Sequence, residues 1–196
     1  MDLERIAHSE LPTRFGAFTV HAFRYEGGLE HMALAAGRPA NGALVRVHSE
    51  CATGDIFGSL RCDCGDQLAA ALDAISAAGA GLLIYLRGHE GRGIGLVNKI
   101  KAYALQDRGL DTIEANHQLG FPTDGREYSA AIAILHEFAL TEIRLLTNNP
   151  DKIAALEEAG VKVTERVPLW TPTNPHNSRY VETKRAAMGH IPPIRR

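Results

Sequence analysis

The chain has 196 residues, which suits one domain whose core can stand without disulfide staples. Hydrophobic residues make up 45% and charged residues 22%, and the net charge of −2 gives no bulk attraction to nucleic acid or to an anionic membrane, so neither is expected as a partner. No stretch approaches the ~18 apolar residues of a membrane span, and Met1-Asp2-Leu3-Glu4-Arg5 lacks the apolar run of a secretion signal, which together predict a cytoplasmic protein.

In chain order, the first 50 residues alternate short segments rich in Phe, Val, Tyr and Leu with the breaks Leu11-Pro12-Thr13, Glu26-Gly27-Gly28 and Gly37-Arg38-Pro39. This pattern predicts three or four strands in antiparallel hairpins. Leu68, Ala71, Leu72, Ile75 and Ala78 then recur at helical spacing, Gly79-Ala80-Gly81 ends that helix, and Leu82 to Leu86 reads as a short buried strand. A Gly-rich turn follows. The next predicted helix, near 93–108, sets Leu96, Ile100 and Tyr103 on one apolar face, and another near 127–139 carries Ile132, Leu135 and Phe138. Ile143 to Leu146 is a strand. After it, Asn149 can cap a helix with Pro150 at its first position, and that helix ends at Gly160 before a strand at Val161-Lys162-Val163. A Pro-rich loop from Pro168 to Pro175, a short helix near 178–189 and a tail from Ile191 to Arg196 complete the chain. The alternation of strands and helices predicts an α/β fold, a mixed sheet flanked by helices with an N-terminal antiparallel strand-rich portion.

Three cysteines, Cys51, Cys62 and Cys64, fall within fourteen positions. An odd, clustered set is a poor disulfide framework and a good soft-donor set for zinc. Three protein ligands leave a fourth tetrahedral position open, as in catalytic sites. Spacing alone also allows a structural zinc completed by a histidine, with His48 three residues before Cys51, or three unrelated buried thiols. The turn Arg87-Gly88-His89-Glu90-Gly91-Arg92-Gly93-Ile94-Gly95 follows a strand and opens a helix, a place where backbone approaches anions closely; many such turns are only turns. Thr147 to Lys152 is likewise either a capped helix start with a solvated lysine or a phosphate clamp.

The strings in order resemble the GTP cyclohydrolase II family. Arg46-Val47-His48-Ser49-Glu50-Cys51, Gly54-Asp55 and Ser59-Leu60-Arg61-Cys62-Asp63-Cys64-Gly65 resemble its zinc segment. Glu90 to Leu96, Asp111 to Asn116, Leu145 to Pro150, Glu182-Thr183-Lys184 and Met188-Gly189-His190 resemble its further motifs, so that the likeness covers nearly the whole chain. Its length resembles the free-standing form rather than one fused behind a dihydroxybutanone-phosphate synthase domain. Arg87-Gly88-His89-Glu90 is one residue longer than the Arg-Gln-Glu version of many bacterial members.

The resemblance implies one domain over 1–196, with a strand-rich part to residue 50, a zinc and nucleotide core over 51–170, and a C-terminal loop, helix and tail over 171–196. It implies that GTP loses pyrophosphate and that its imidazole ring is opened with release of C8 as formate, leaving 2,5-diamino-6-ribosylamino-pyrimidinone 5′-phosphate, at the start of riboflavin synthesis. Zinc on Cys51, Cys62 and Cys64 would serve C8, and magnesium the phosphates. GTP contacts are expected from Arg46, Val47, His48, Ser49 and Glu50, from Gln67, from Glu90, Gly91 and Arg92, and from Thr112, Thr147 and Lys152. Asp124 takes the family's proton-acceptor position and Arg126 the position of its nucleophile. A guanidinium protonated to above about pH 12 suits a phosphate clamp oriented by Asp124 better. Tyr103 could serve the ring chemistry or pack in the core. A homodimer is implied by the family. Two other readings stand beside this one: a paralogue that makes a related pyrimidine or formamide, and a GTP-binding regulatory protein with structural zinc.

Overall fold

Residues 3–187 and 189–191 are described by a computed structural model. The expected tail beyond Ile191, Met188 of the Met188-Gly189-His190 string, and Met1-Asp2 lie outside the described residues. Three strands come first, β1 (Glu4–Thr13), β2 (Gly16–Arg24) and β3 (Glu30–Ala36), followed by β4 (Ala43–Ser49). After a single turn of helix, α1 (Ala52–Asp55), the chain alternates: α2 (Cys64–Ala77), β5 (Gly81–Leu86), α3 (Gly95–Gln106), α4 (Thr112–Gln118), α5 (Ser129–Glu137), β6 (Glu142–Leu146), α6 (Pro150–Glu158), β7 (Lys162–Val167) and α7 (Ser178–Ala187). All seven strands join one mixed sheet in the order β1-β2-β3-β5-β4-β6-β7. This is the α/β architecture expected, with helices on both faces.

The expectation of hairpins through residue 50 holds for β1, β2 and β3, which pair antiparallel. It fails for β4. That strand does not lie beside β3; β5 inserts between them, antiparallel to β3 and parallel to β4. A short Gly-Pro link reads as a hairpin, but residues that return from α2 complete the pairing instead. β6 and β7 continue the parallel half.

Strand alternation divides the core. Leu82, Ile84 and Leu86 of β5 and Val45 and Val47 of β4 face α5 and α6, where they meet Ile134, Leu135 and Leu156. Leu83 and Leu44 point to the opposite face and meet Ala71, Leu72 and Ile75 of α2. Each such aliphatic side chain contributes roughly 1.5–3 kcal/mol on burial. The fit is closest at Gly81, where a Cβ would stand 2.6 Å from the Leu44 carbonyl oxygen and 3.0 Å from Ile75 Cγ2. No helix among the described residues is long and apolar enough to cross a membrane.

α4 is absent from the sequence expectation. Its start carries a full capping box: Asp111 Oδ1 accepts from Ile113 N and Glu114 N at 2.7 and 2.8 Å, and Glu114 Oε2 accepts from Asp111 N at 2.8 Å. α3 is present, but turned. Leu96 and Ile100, expected inside, are each 49% exposed and Val97 is 69% exposed, whereas Lys99 and Ala102 are buried.

Candidate active site

β4, β5 and β6 run parallel, so their C-terminal ends lie on one side of the sheet, the side where open α/β sheets bind ligands. The zinc-segment candidate follows β4, the Gly-rich turn follows β5, and Thr147-Asn148-Asn149 follows β6. Period-two alternation along β4 sends Val47 into the core beneath α5 and sends Arg46 and His48 to the α2 face. Both polar side chains are buried.

Beyond β4, Asp55 organises the turn. Its carboxylate accepts from Cys51 N at 3.0 Å and from the Tyr85 hydroxyl at 2.8 Å, and it holds His48 Nε2 at 3.1 Å. His48 Nε2 is thus held by Asp55, and the ligand atoms that cluster among the described residues are the three cysteine sulfurs, without His48. Cys51 and Cys62 are buried, Cys64 is half-buried, and their three Sγ atoms lie within 4.8 Å of one another. Gly54 makes the room, since a Cβ there would stand 2.9 Å from Cys62 Sγ and 3.2 Å from Cys51 Sγ. Crowded together, the three cannot all ionise. Hydrogen bonds from Cys62 and Cys64, then Lys99, pull Cys51 below the usual thiol range. The same bonds and burial raise Cys62 to about 11 and Cys64 well above its ordinary value. A dication among three soft donors removes that conflict, so the residues fit zinc.

The Gly-rich turn bends sharply at Gly91, Arg92 and Gly93, with φ of 60°, 65° and 91°. A left-handed arginine costs on the order of 1–2 kcal/mol, a strain of the sort found at functional sites. Arg92 is buried, and among the described residues neither Nη1 nor Nη2 has a hydrogen-bond partner. Its carbonyl oxygen accepts from Gly125 N at 3.1 Å, which draws in the Asp124-Gly125-Arg126 turn. There Arg126 N and Nε donate to Asp124 Oδ1 at 3.1 and 2.8 Å, and Arg126 Nη2 pairs with Oδ2. Burial pushes Asp124 up, but the Arg126 hydrogen bonds and charge outweigh it and hold the carboxyl below its ordinary value. Burial works against the Arg126 charge, yet the pairing with Asp124 raises it further. Arg126 Nη1 also donates to Ser49 Oγ at 3.3 Å, and Ser49 Oγ lies 3.1 Å from His89 Nδ1.

At the third loop, Asn149 Oδ1 accepts from Asp151 N at 3.0 Å with Pro150 at the helix start, as expected. Lys152 is not solvated. It is buried and donates to the Val47 carbonyl oxygen at 2.8 Å, and burial, then Arg46 and Arg126, depresses it well below the usual lysine range. Arg46, lowered by burial to about 10, stays charged at neutral pH.

One cleft, enclosing about 1100 Å³ of space open to solvent, gathers every expected site residue except two. Arg46, His48, Ser49, Glu50, Gln67, Glu90, Gly91, Arg92, Tyr103, Thr112, Arg126, Thr147 and Lys152 line it together with the three cysteines. Asp124 stands behind Arg126, and Val47 reaches the site only through its carbonyl. Tyr103 lies on the cleft side of α3, its hydroxyl 3.4 Å from Thr53 Oγ1, and so does not pack in the core.

A family model described as GTP cyclohydrolase II matches residues 4–168. The chain belongs to the GTP cyclohydrolase II family. It is 56% identical to a GTP cyclohydrolase-2 of Azotobacter vinelandii over 194 residues, 97% of this chain and 93% of that one. It is 50% identical to a GTP cyclohydrolase-2 of Neisseria meningitidis, with 96% of each covered. A riboflavin biosynthesis protein RibBA of Salinispora tropica is 51% identical over 96% of this chain but only 48% of its own length. Among solved structures, RibBX, a two-domain 3,4-dihydroxy-2-butanone 4-phosphate synthase from A. baumannii, shares the fold: TM-score 0.50 at 18% identity, covering 86% of this chain and 40% of that one.

Within this GTP cyclohydrolase II domain, sequence reading left several cleft residues without a role. α7 is the main case. Lys184 Nζ donates to Asp63 Oδ1 at 2.6 Å, between two of the cysteines. Gln67 Nε2 donates to Asp63 Oδ2 at 2.7 Å, Arg46 Nη2 donates to Gln67 Oε1 at 2.9 Å, and Arg46 Nη1 donates to the Leu146 carbonyl oxygen at 2.9 Å. Tyr180 and His190 line the cleft beside Lys184, and Ile191 N donates to the Asn148 carbonyl oxygen at 2.9 Å. The Glu182-Thr183-Lys184 string was the available signal. Lys99 and His89 are two more; nothing in helical periodicity distinguishes an inward lysine from a solvated one.

Proposed function

We propose that the chain is a zinc-dependent GTP cyclohydrolase II of riboflavin synthesis, converting GTP to 2,5-diamino-6-ribosylamino-pyrimidinone 5′-phosphate, formate and pyrophosphate. One observation carries this: a three-thiol cluster and a buried arginine, both of whose Nη atoms lack a hydrogen-bond partner among the described residues, face the same cleft. The thiols suit a metal, and the free guanidinium awaits an anion.

Cys51, Cys62 and Cys64 would hold zinc, which supplies a Lewis acid and an activated water for attack at C8. C8 bonds two ring nitrogens, so its release as formate breaks two C–N bonds and consumes one water for each. The cations take the other end of the nucleotide. Arg92 and Arg126 would bind phosphate oxygens, Lys152 would donate a hydrogen bond beside them, and magnesium bound with the triphosphate would spread its charge. Asp124 holds Arg126 by two prongs and stays ionised, so it fixes the guanidinium plane, and it stands at the position the resemblance gives to the proton acceptor. Arg126 remains protonated and acts as a clamp on the departing pyrophosphate rather than as a nucleophile. Arg46 and Gln67 bind beside Asp63, with Ser49, Thr112 and Thr147 supplying hydroxyls around the nucleotide. Exposed Ile56, Phe57 and Leu60, and exposed Leu96, Val97 and Ile100 on α3, favour the homodimer.

The test is incubation with GTP, zinc and magnesium, with products identified by mass. Formate, pyrophosphate and the diaminopyrimidine in equal amounts are expected. Cys62→Ser should lose both the metal and formate release. GTP bound but not consumed would instead indicate a regulatory binding protein, and a formamide end product would indicate a paralogous enzyme.

A further inference from the structure

The inward face of α3 presents a cation where the sequence pattern places leucine and isoleucine. Lys99 is buried, and its Nζ donates to Cys51 Sγ at 3.1 Å while pairing with the Glu90 carboxylate. The same ammonium sits 5.7 Å from the centre of the Tyr103 ring. Glu90 is fully engaged by the chain. Its Oε2 accepts from Ala52 N at 2.6 Å, and its Oε1 accepts from Gly91 N at 3.2 Å besides meeting Lys99.

The geometry points to Lys99 as a positioning residue for the metal centre, its ammonium donating a charge-assisted hydrogen bond to the Cys51 sulfur and held there by Glu90. The inference rests on the zinc reading above and adds what that reading lacks, a group that sets the strength of one ligand.

Burying an ammonium costs several kcal/mol unless it is paired and hydrogen-bonded. A lysine kept only as a structural ion pair would need Glu90 alone. This one is aimed at the sulfur as well, from a different element. Three thiolates around a dication leave one net negative charge, and the Lys99 ammonium brings that inner set to zero. Its N–H, donated to the Cys51 sulfur, offsets the excess negative charge of the buried thiolates and so stabilises the metal-bound set as a whole. Groups in the shell around ligands tune metals in this way, and their loss typically costs about 10–100-fold in metal affinity or activity. Glu90, which resemblance places among the GTP contacts, then acts through Lys99 and through the start of α1, since its carboxylate oxygens are already occupied.

The experiment uses the full chain with zinc and with cobalt(II) in its place, as wild type, Lys99→Met and Lys99→Gln. Metal affinity is read by chelator competition, and the sulfur-to-cobalt charge-transfer band by absorption. Wild type should bind one metal. Lys99→Met should release it at about 10–100-fold lower chelator concentration and move the band to lower energy, because the sulfur lone pairs lose their hydrogen bond. Lys99→Gln, a neutral donor, should fall between the two and serves as the comparison if the Met variant folds poorly. A wild type that binds no metal sinks the zinc reading itself. A wild type that binds metal while the variants keep its band and chelator midpoint sinks the role of Lys99 alone.

Discussion

The two ends of the sheet differ in what they do. At one end β1, β2 and β3 run antiparallel, and β1 is exposed along nearly its whole length. Toward the other end β4, β5, β6 and β7 run parallel, the first three mostly buried. No cleft residue comes from β1, β2 or β3; the walls come from the end of β4, from the loops after the parallel strands and from the helices over them. Direction is the physical reason. Consecutive antiparallel strands put their loops at alternate ends, whereas parallel strands put every outgoing loop at the same end. Convergence of three loops on one cleft needs the second arrangement.

The sharpest test of the division lies at the turn tied to the Gly-rich loop. Arg126→Ala should lower turnover of GTP by about 10²–10³-fold, the usual cost of one preorganised donor to a developing oxyanion. Arg126→Lys should keep measurable activity, because the charge remains while the two-pronged geometry is lost. A nucleotide adduct on wild-type Arg126, trapped in a single turnover and chased to product at a competent rate, would overturn the clamp.

A smaller effect is expected at α7, which extends the functional half past the sheet. Lys184→Met leaves Asp63 buried without its cation, a loss that undocking of α7 can relieve. Tyr180 and His190 would then leave the cleft. GTP affinity should fall about tenfold, some 1.4 kcal/mol, with the melting temperature little changed. Lys184→Arg should restore most of it. Wild-type affinity in the Met variant would show that α7 only covers the site.

Legibility in the sequence follows the same division. The antiparallel hairpins announced themselves through alternation and Gly-Pro breaks, but β4 was grouped with them because nothing local tells a strand which neighbour it will have. The cysteines, the Gly-rich turn and the Asn149-Pro150 helix start were readable because each rests on local chemistry. α3 misled. Leu96, Ile100 and Tyr103 mark a face by period, and period does not say which side looks inward. The helix roofs a polar cleft rather than the core, so Lys99 and Ala102 turn in and the leucine and isoleucine turn out. α4 is too short for hydrophobic period to mark it, and its local signal is the capping box of Asp111 and Glu114.

Acid should weaken the functional half first. His89 is lowered to about 4, by burial above all and then by Arg126, Lys152 and His31, against a raising influence from Asp124. Because the folded value lies below the ordinary 6.5, the neutral ring is the form the fold favours. That contribution is intact above pH 6.5 and is lost as pH falls from there through about 4. Chemical denaturation should show wild type losing roughly 3 kcal/mol more than His89→Asn between pH 7 and pH 4. Equal losses in the two proteins would show that His89 is not the group responsible.

The smallest effect belongs to β1. Ile6 and Leu11 are 43% and 36% exposed, and Ile6 falls at the register shift between Arg5 and Ala7. β1 pairs with β2 through its backbone, which a side-chain change leaves in place. Threonine suits an exposed strand. Ile6→Thr with Leu11→Thr should therefore shift stability by no more than about 0.5 kcal/mol and leave GTP turnover at the wild-type rate. The double variant is informative because it changes more apolar surface than Arg126→Ala or Lys184→Met, yet touches nothing that reaches a parallel strand end. If turnover nevertheless fell tenfold in a protein of unchanged melting temperature, β1 would have to be covered in the active assembly. The antiparallel half would then be an interface on which the cleft depends, and the division drawn from strand direction would fail.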